Sequence, residues 1–306
     1  MKTNLCNKKI NKKFIKKKKS LRYNFTFYKY FNICNVKKVK NFLFIKFKKL
    51  NILGRILISE EGINAQISIP KKNFLYFKNF FYYYNSLFKK INLNKCLNNK
   101  KSFCSLKIKI KNYILNHKIK NIKNFKKTGI YLNVFQVNNF INCKNTLFLD
   151  MRNYYEYEIG HFKNAFTLPS ITFRNQLSKI IKKIKKKIKN NILMYCTGGI
   201  RCEISTKYIL KNGFKNVFHI KGGIINYVNF ANSKKLPINF IGKNFVFDKR
   251  LKEFVTKDII SNCYTCGKKS DNYINCKNNI CNKLLIQCLK CYKKYKKFCC
   301  KECYIK

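Results

Sequence analysis

The chain reads as an α+β unit, then an α/β unit with a parallel sheet, then a cysteine-rich tail. Three observations predict this. Apolar patterning over residues 23–117 runs strand, helix, strand, strand, helix, strand. Over residues 128–230 short apolar runs alternate with amphipathic helical stretches. Beyond residue 260, nine of the sixteen cysteines crowd a segment too short for a core of its own. A basic extension, residues 1–22, precedes the first unit, and the tail unit is read as 240–306.

In the first unit, residues 24–30 open as a β-rich run. Residues 36–50 place Val36, Val39, Leu43, Phe44, Phe47 and Leu50 on one helical face. Residues 55–59 and 63–69 read as strands joined through Glu60-Glu61-Gly62, a hairpin signal. Residues 74–88 form an aromatic-heavy helix, and Leu106, Ile108 and Ile110 alternate with lysines in a last, half-buried strand. This β-α-β-β-α-β order is the ferredoxin-like, or acylphosphatase-like, arrangement. Its Phe and Tyr read as core rather than as platforms for nucleic-acid bases.

A polar, lysine-rich linker at 118–127 leads to the second unit. Strands are expected at 146–149, 165–168, 192–195 and 217–220. Over 173–189, Leu177, Ile180, Ile181, Ile184 and Ile188 line one stripe of a helix whose remainder is mostly lysine. Such alternation implies a parallel sheet covered on both faces, with a site at the carboxyl ends of its strands.

Cys196 falls at such an end. It is followed by Thr197-Gly198-Gly199-Ile200-Arg201 and by a helical segment, 203–211, stopped by Gly213. Strand, tight Gly-Gly loop and helix aim backbone N–H groups and a positive helix end at the sulfur. A thiol held there is a thiolate at neutral pH, the form that attacks or carries sulfur. Phosphate-cradling cysteine loops place their arginine after five residues; here four intervene, which sizes the ring for a sulfur atom. Cys202 begins the helix and is expected to point away from this cradle. Asp150 and Arg152, closing an earlier strand, read as a structural ion pair that orients the loop. His161 reads as a turn residue.

In the tail, Cys263-x-x-Cys266 and Cys288-x-x-Cys291 are separated by 21 residues, a spacing that suits a tetrahedral Cys₄ zinc site. Cys276, Cys281, Cys299, Cys300 and Cys303 remain, enough for a second site with one spare. Structural zinc is the favoured reading. Spacing alone also admits an iron–sulfur cluster, and a thiol relay to Cys196 is the sharper alternative.

The charge balance is extreme: 68 Lys and Arg against 11 Asp and Glu, a net +57. It suits a polyanion such as RNA. Only six of those residues are Arg, and the chain has three Ala, three Pro and no Trp. That pattern follows A- and T-rich codons, so the lysines argue only weakly for a partner. No apolar run is long and charge-free enough to span a membrane. The basic start lacks the apolar stretch of a secretory signal and the Arg and Ser of a transit peptide. With many cysteines and no export signal, a reducing cytoplasm is expected.

The loop from Cys196 to Arg201, with Asp150-Met151-Arg152-Asn153 and Gly160-His161, resembles the rhodanese domains, whose cysteine carries a persulfide. Further stretches widen the likeness: residues 54–64 (GRILISEEGIN), 213–217 (GFKNV), 222–224 (GGI) and 242–248 (GKNFVFD). Together with Cys202 directly after the arginine, they make the chain similar to the rhodanese-domain tRNA uridine(34) hydroxylases over nearly all of its length beyond the basic extension.

That resemblance implies oxygen-dependent hydroxylation of the wobble uridine of tRNA to 5-hydroxyuridine, with molecular oxygen as co-substrate and the tRNA anticodon arm as partner. Cys196 matches the family's essential cysteine, and Thr197, Gly198, Gly199, Ile200 and Arg201 match its cradle. No flavin fingerprint, haem ligand pair or 2-His-1-carboxylate iron motif is visible. The loop by itself leaves a second reading open, a sulfurtransferase passing a Cys196 persulfide to an acceptor thiol. The oligomeric state is left open.

Overall fold

The computed structural model describes residues 21–305 apart from 84–87, 90, 98–101, 118, 120, 121, 123, 124, 126 and 188. The basic extension up to residue 20, the end of the expected 74–88 helix and much of the expected linker lie outside the described residues.

The first unit begins with strand β1 (Arg22–Tyr30), helix α1 (Val36–Lys49) and the hairpin of β2 (Leu53–Ser59) with β3 (Gly62–Pro70). Helix α2 (Phe74–Tyr83) and strands β4 (Asn94–Lys95) and β5 (Leu106–Ile110) complete it. The sheet order is β4-β1-β3-β2-β5. Asn35 caps α1 by accepting the Lys38 N–H at 2.8 Å, and Leu43 and Phe47 face the sheet, fully buried. The aromatic residues do pack as core: the Phe77 and Phe81 rings stack at 5.0 Å, and Phe81 stacks on Phe88 at 4.8 Å.

One expectation about the order of strands fails. The strand at 106–110 is not the ferredoxin-like fourth strand beside β1; the two-residue β4 takes that place. Strand β5 instead runs parallel to β2 at the opposite edge, with Ile56 opposite Ile108. The alternating Leu106, Ile108 and Ile110 satisfy either edge equally well, so patterning could not choose between them.

The second unit contains β6 (Ile130–Leu132), α3 (Val134–Ile141), β7 (Thr146–Asp150), the one-turn helix α4 (Tyr154–Glu158) and β8 (Gly160–Phe162). It continues through α5 (Phe173–Ile184), β9 (Asn191–Tyr195), α6 (Ile200–Lys211), β10 (Val217–Ile220) and α7 (Gly223–Ser233). Its four-stranded sheet, β6-β10-β9-β7, is parallel throughout. Side chains alternate along β9. Leu193 and Tyr195 join the core beside α3 and α7, and Ile192, Met194 and Cys196 join the core beside α5 and α6.

The strand expected at 165–168 shrinks to one bridge, Leu149 to Phe166. Beyond it the Asp150 carbonyl accepts from the Gln176 amide at 2.7 Å, which takes the acceptor a longer ladder would use, and Pro169 offers no N–H. The neighbouring β8 pairs instead with β11 (Phe240–Phe245) of the tail, in a sheet ordered β12-β11-β8 with β12 at Lys252–Phe254. The tail ends in the hairpin of β13 (Tyr273–Asn275) and β14 (Leu284–Ile286) and the short helices α8 (Leu289–Lys294) and α9 (Lys301–Ile305). Among the described residues no helix is long and apolar enough to cross a membrane.

Candidate active site

The end of β9 and the start of α6 enclose the Cys196 sulfur. Gly199 adopts φ +99°, a left-handed turn that reverses the chain into α6 and points its N–H at the sulfur, 3.1 Å away. Burial by itself pushes this thiol up. The hydrogen bond from the Cys202 thiol, the charge of Arg201 and the N–H groups of Cys202 and Arg201 outweigh burial and bring it down to about 6. At neutral pH Cys196 is therefore a thiolate.

Cys202 corrects an expectation. Rather than pointing away from the cradle, its buried thiol faces Cys196 and donates to it. Burial and the neighbouring Cys196 sulfur push Cys202 itself well up, so it remains a protonated donor.

Arg201 is held from behind. Glu156 accepts from both guanidinium nitrogens, Nη1 at 2.5 Å and Nη2 at 2.9 Å, and Thr197 Oγ1 accepts from Nη2 at 3.2 Å. The fixed fork of the guanidinium suits this bidentate grip. Glu156 also accepts the Asn153 N–H at 3.0 Å in a capping box at the start of α4. Asp150 and Arg152 form a second, fully buried pair at 2.6 Å, and Arg152 Nη2 donates to the Gly160 carbonyl at 2.6 Å. They tie β7 to β8. His161 stacks on Tyr157 at 3.9 Å, with Nδ1 2.9 Å from the Tyr157 carbonyl.

Two further elements close the loop. The Cys196 and Thr197 carbonyls accept the N–H groups of Ile224 and Ile225 at the start of α7. From the first unit, β1 lies over the loop, with Tyr28 donating to Glu203 of α6 at 3.1 Å and Tyr131 donating to the same oxygen. Above Cys196 is a cavity of about 940 Å³ walled by all three parts of the chain, among them Thr26, Asn64, Tyr154, Arg174 and Lys283. That size is enough for a nucleotide-sized group.

In the tail, Cys263, Cys266, Cys288 and Cys291 bring four sulfurs within 4.8 Å of one another, a cluster that could hold a metal ion. The Cys266 and Cys288 sulfurs are 3.7 Å apart. A tetrahedral ion bound at about 2.3 Å spaces its thiolates about 3.8 Å apart, so the donor set fits zinc.

Comparison with known proteins decides the family. Residues 22–114 match the family model described as "UPF0176 acylphosphatase like domain", 135–229 the "Rhodanese-like domain" and 241–304 the "Rhodanase C-terminal". A tRNA uridine(34) hydroxylase of Buchnera aphidicola from Schizaphis graminum is 49% identical, over 99% of this chain and 99% of its own length. The chain belongs to the tRNA uridine(34) hydroxylase family. A second relative of that name, from Photorhabdus laumondii, is 45% identical over 92% of this chain and 81% of its own. Among solved structures, a rhodanese-related protein from Thermoplasma volcanium is 19% identical, with a TM-score of 0.28, over 37% of this chain and 97% of its own.

Several of the motifs that carry the likeness to the tRNA uridine(34) hydroxylases meet at the cavity above Cys196, whereas residues 213–217 lie at the other end of the sheet, where Val217 pairs with Ile192. Residues 222–224 dock on the loop carbonyls, and the GRILISEEGIN stretch forms β2 and the turn into β3 of the sheet whose strand β1 covers the loop. Sequence reasoning assigned no role to Glu156, although the spacing Asn153-x-x-Glu156 was a legible capping signal. It gave no hint of Tyr28 or Tyr131, and Glu203 stood only at the end of the matching loop stretch, with no role. Nothing local marks a tyrosine that reaches a helix 175 positions away.

Proposed function

We propose that this protein hydroxylates uridine 34 of tRNA to 5-hydroxyuridine, with molecular oxygen as co-substrate and Cys196 as the reacting side chain. The observation that carries the reading is the low-pKa Cys196 beneath a cavity shared by all three parts, in a chain of this family. Cys196 supplies a thiolate able to attack or carry sulfur. Gly199, Arg201 and Cys202 present amides to it, and Arg201, clamped by Glu156, places a fixed positive charge beside it. Asp150 and Arg152 act through the loop's support and are positioning residues.

A buried sulfur can be reached only by a base that leaves its stack. Anticodon loops already present theirs partly unstacked, which suits uridine 34. Lysines along the basic surface would neutralise phosphates, so affinity should fall steeply with added salt. The Cys263, Cys266, Cys288 and Cys291 cluster would hold a structural zinc, and the site of action would be the cytoplasm, where tRNA is found.

The test incubates protein, reductant, oxygen and unmodified tRNA, and measures nucleosides by mass spectrometry. Formation of 5-hydroxyuridine that is lost in Cys196→Ser supports the reading. Thiocyanate formation from thiosulfate and cyanide, with no oxygenated uridine either in cells or in vitro, would assign the protein to sulfur transfer instead.

A further inference from the structure

We infer that the tail binds a second zinc through Cys276, Cys281, Cys299 and Cys303, interlocked with the first. The four sulfurs lie within 4.8 Å of one another. Cys281 is 3.8 Å from Cys299, and Cys299 is 3.5 Å from Cys303, spacings that suit one tetrahedral ion. The four thiolates of an iron–sulfur cluster are divided among two or more irons and cannot all stand this close to one another.

The structure resolves which of five cysteines is spare. The sequence Cys299-Cys300-x-x-Cys303 offers a CxxC pair of Cys300 with Cys303. In the structure, the turn of α9 instead carries the Cys303 sulfur back to Cys299. Cys300 stands 3.7 Å from Cys299 but is outside the convergent four. At the other end, the Asn278 side chain accepts the Ile280 N–H at 2.9 Å and the Cys281 N–H at 3.3 Å. With the Cys276 N–H bonded to the Lys283 carbonyl at 2.8 Å, this folds the loop so that Cys276 and Cys281 face one point.

The order of ligands along the chain alternates between sites. The first site takes 263 and 266 and then 288 and 291; the second takes 276 and 281 and then 299 and 303. One pair of each site, 276/281 or 288/291, therefore lies along the chain between the two pairs of the other site. The apolar cluster around the second site rests on Ile274, Leu285, Tyr292 and Phe298 with its own cysteines. Four thiolates on Zn²⁺ leave a net negative charge at the second site, and the Lys283 ammonium interacts with the Cys281 and Cys299 sulfurs.

The interlocking rests on the first site holding zinc, as proposed above, so the experiment separates the two sites. Full-length protein is purified under reducing conditions without chelator, its metals are measured, and its cysteines are mapped by alkylation and mass spectrometry. Two zinc ions per chain are expected, with Cys300 labelled and the other eight tail cysteines protected until chelator is added. Cys300→Ser should keep both ions, and Cys276→Ser with Cys281→Ser should lose at least one. One zinc, with 276, 281, 299 and 303 alkylated, overturns the second site and leaves the first standing. One zinc with 263, 266, 288 and 291 alkylated removes the first site and with it the interlock. Iron in place of zinc, or protection of Cys300 in place of Cys299 or Cys303, overturns the assignment. The wild-type labelling pattern decides even if the double variant fails to fold.

Discussion

Glu156 grips Arg201 through both guanidinium nitrogens, at 2.5 and 2.9 Å, and neither side chain is more than 8% exposed. The carboxylate sits on a one-turn helix after β7, and the arginine on the first turn of the helix after β9. The pair therefore couples two loops at the carboxyl end of the sheet. Burial acts to lower the arginine's pKa, but Glu156 outweighs it and holds the guanidinium charged beside the Cys196 sulfur.

Glu156→Gln should leave that charge buried without its partner. Removing one member of a buried pair costs about 3 kcal/mol or more. The expected outcome is a lower denaturation midpoint together with a loss of hydroxylation, because Arg201 is no longer held beside the sulfur. Unchanged stability would show that water or another group replaces the carboxylate.

Cys196 should alkylate with a half-maximal rate at about pH 6. An ordinary thiol titrates about two units higher, so the profile should already be flat where other cysteines are still rising. The sign follows from the lowered folded pKa. The cradle's stabilisation of the thiolate is present above the unfolded thiol's pKa and is lost as pH falls through about 6. Site-resolved mass spectrometry of alkylated protein across pH gives the profile.

Cys202 can be dissected with two substitutions. Cys202→Ser retains a donor toward the sulfur and should keep at least part of the activity, with the Cys196 profile near its original position. Cys202→Ala removes the donor and should move the profile to higher pH. Equal loss in both, with the fold intact, would instead mean that the two thiols act as a chemical pair, through exchange with a persulfide.

Gly223 carries φ +64°, and a Cβ there would sit 2.3 Å from the Cys196 carbonyl oxygen. Gly223→Ala should therefore push the loop off the N-terminus of α7. Misplacement of a reacting group by about 1 Å can cost about a hundredfold in rate. The expectation is a fall in kcat of that order with the circular dichroism spectrum retained. A variant with full activity would mean that the α7 start yields rather than the loop.

Much of the site was legible in the sequence because its causes are local. An apolar run ending in Cys196, two glycines and an arginine specify a strand, a turn and a helix start, and alternation along β9 sets which face the sulfur joins. Hydrophobic period also placed most helices and strands, since it records only which side of an element meets a core. What period cannot record is the neighbour on that side. Strand β5 suited either edge of its sheet, and hydrogen bonding to β2 decided. The strand expected at 165–168 was cut short by the Gln176 amide on the Asp150 carbonyl, a contact across 26 positions. Cys202 faced inward because the first turn of α6 carries its thiol back over the loop. Tyr28 reached Glu203 only because the two units pack together, and the spare cysteine in Cys299-Cys300-x-x-Cys303 was settled by the turn of a five-residue helix. The sequence determined the chemistry available at each position; the tertiary structure decided which of those groups share a few ångströms, since bringing distant groups together takes the packing of the whole chain.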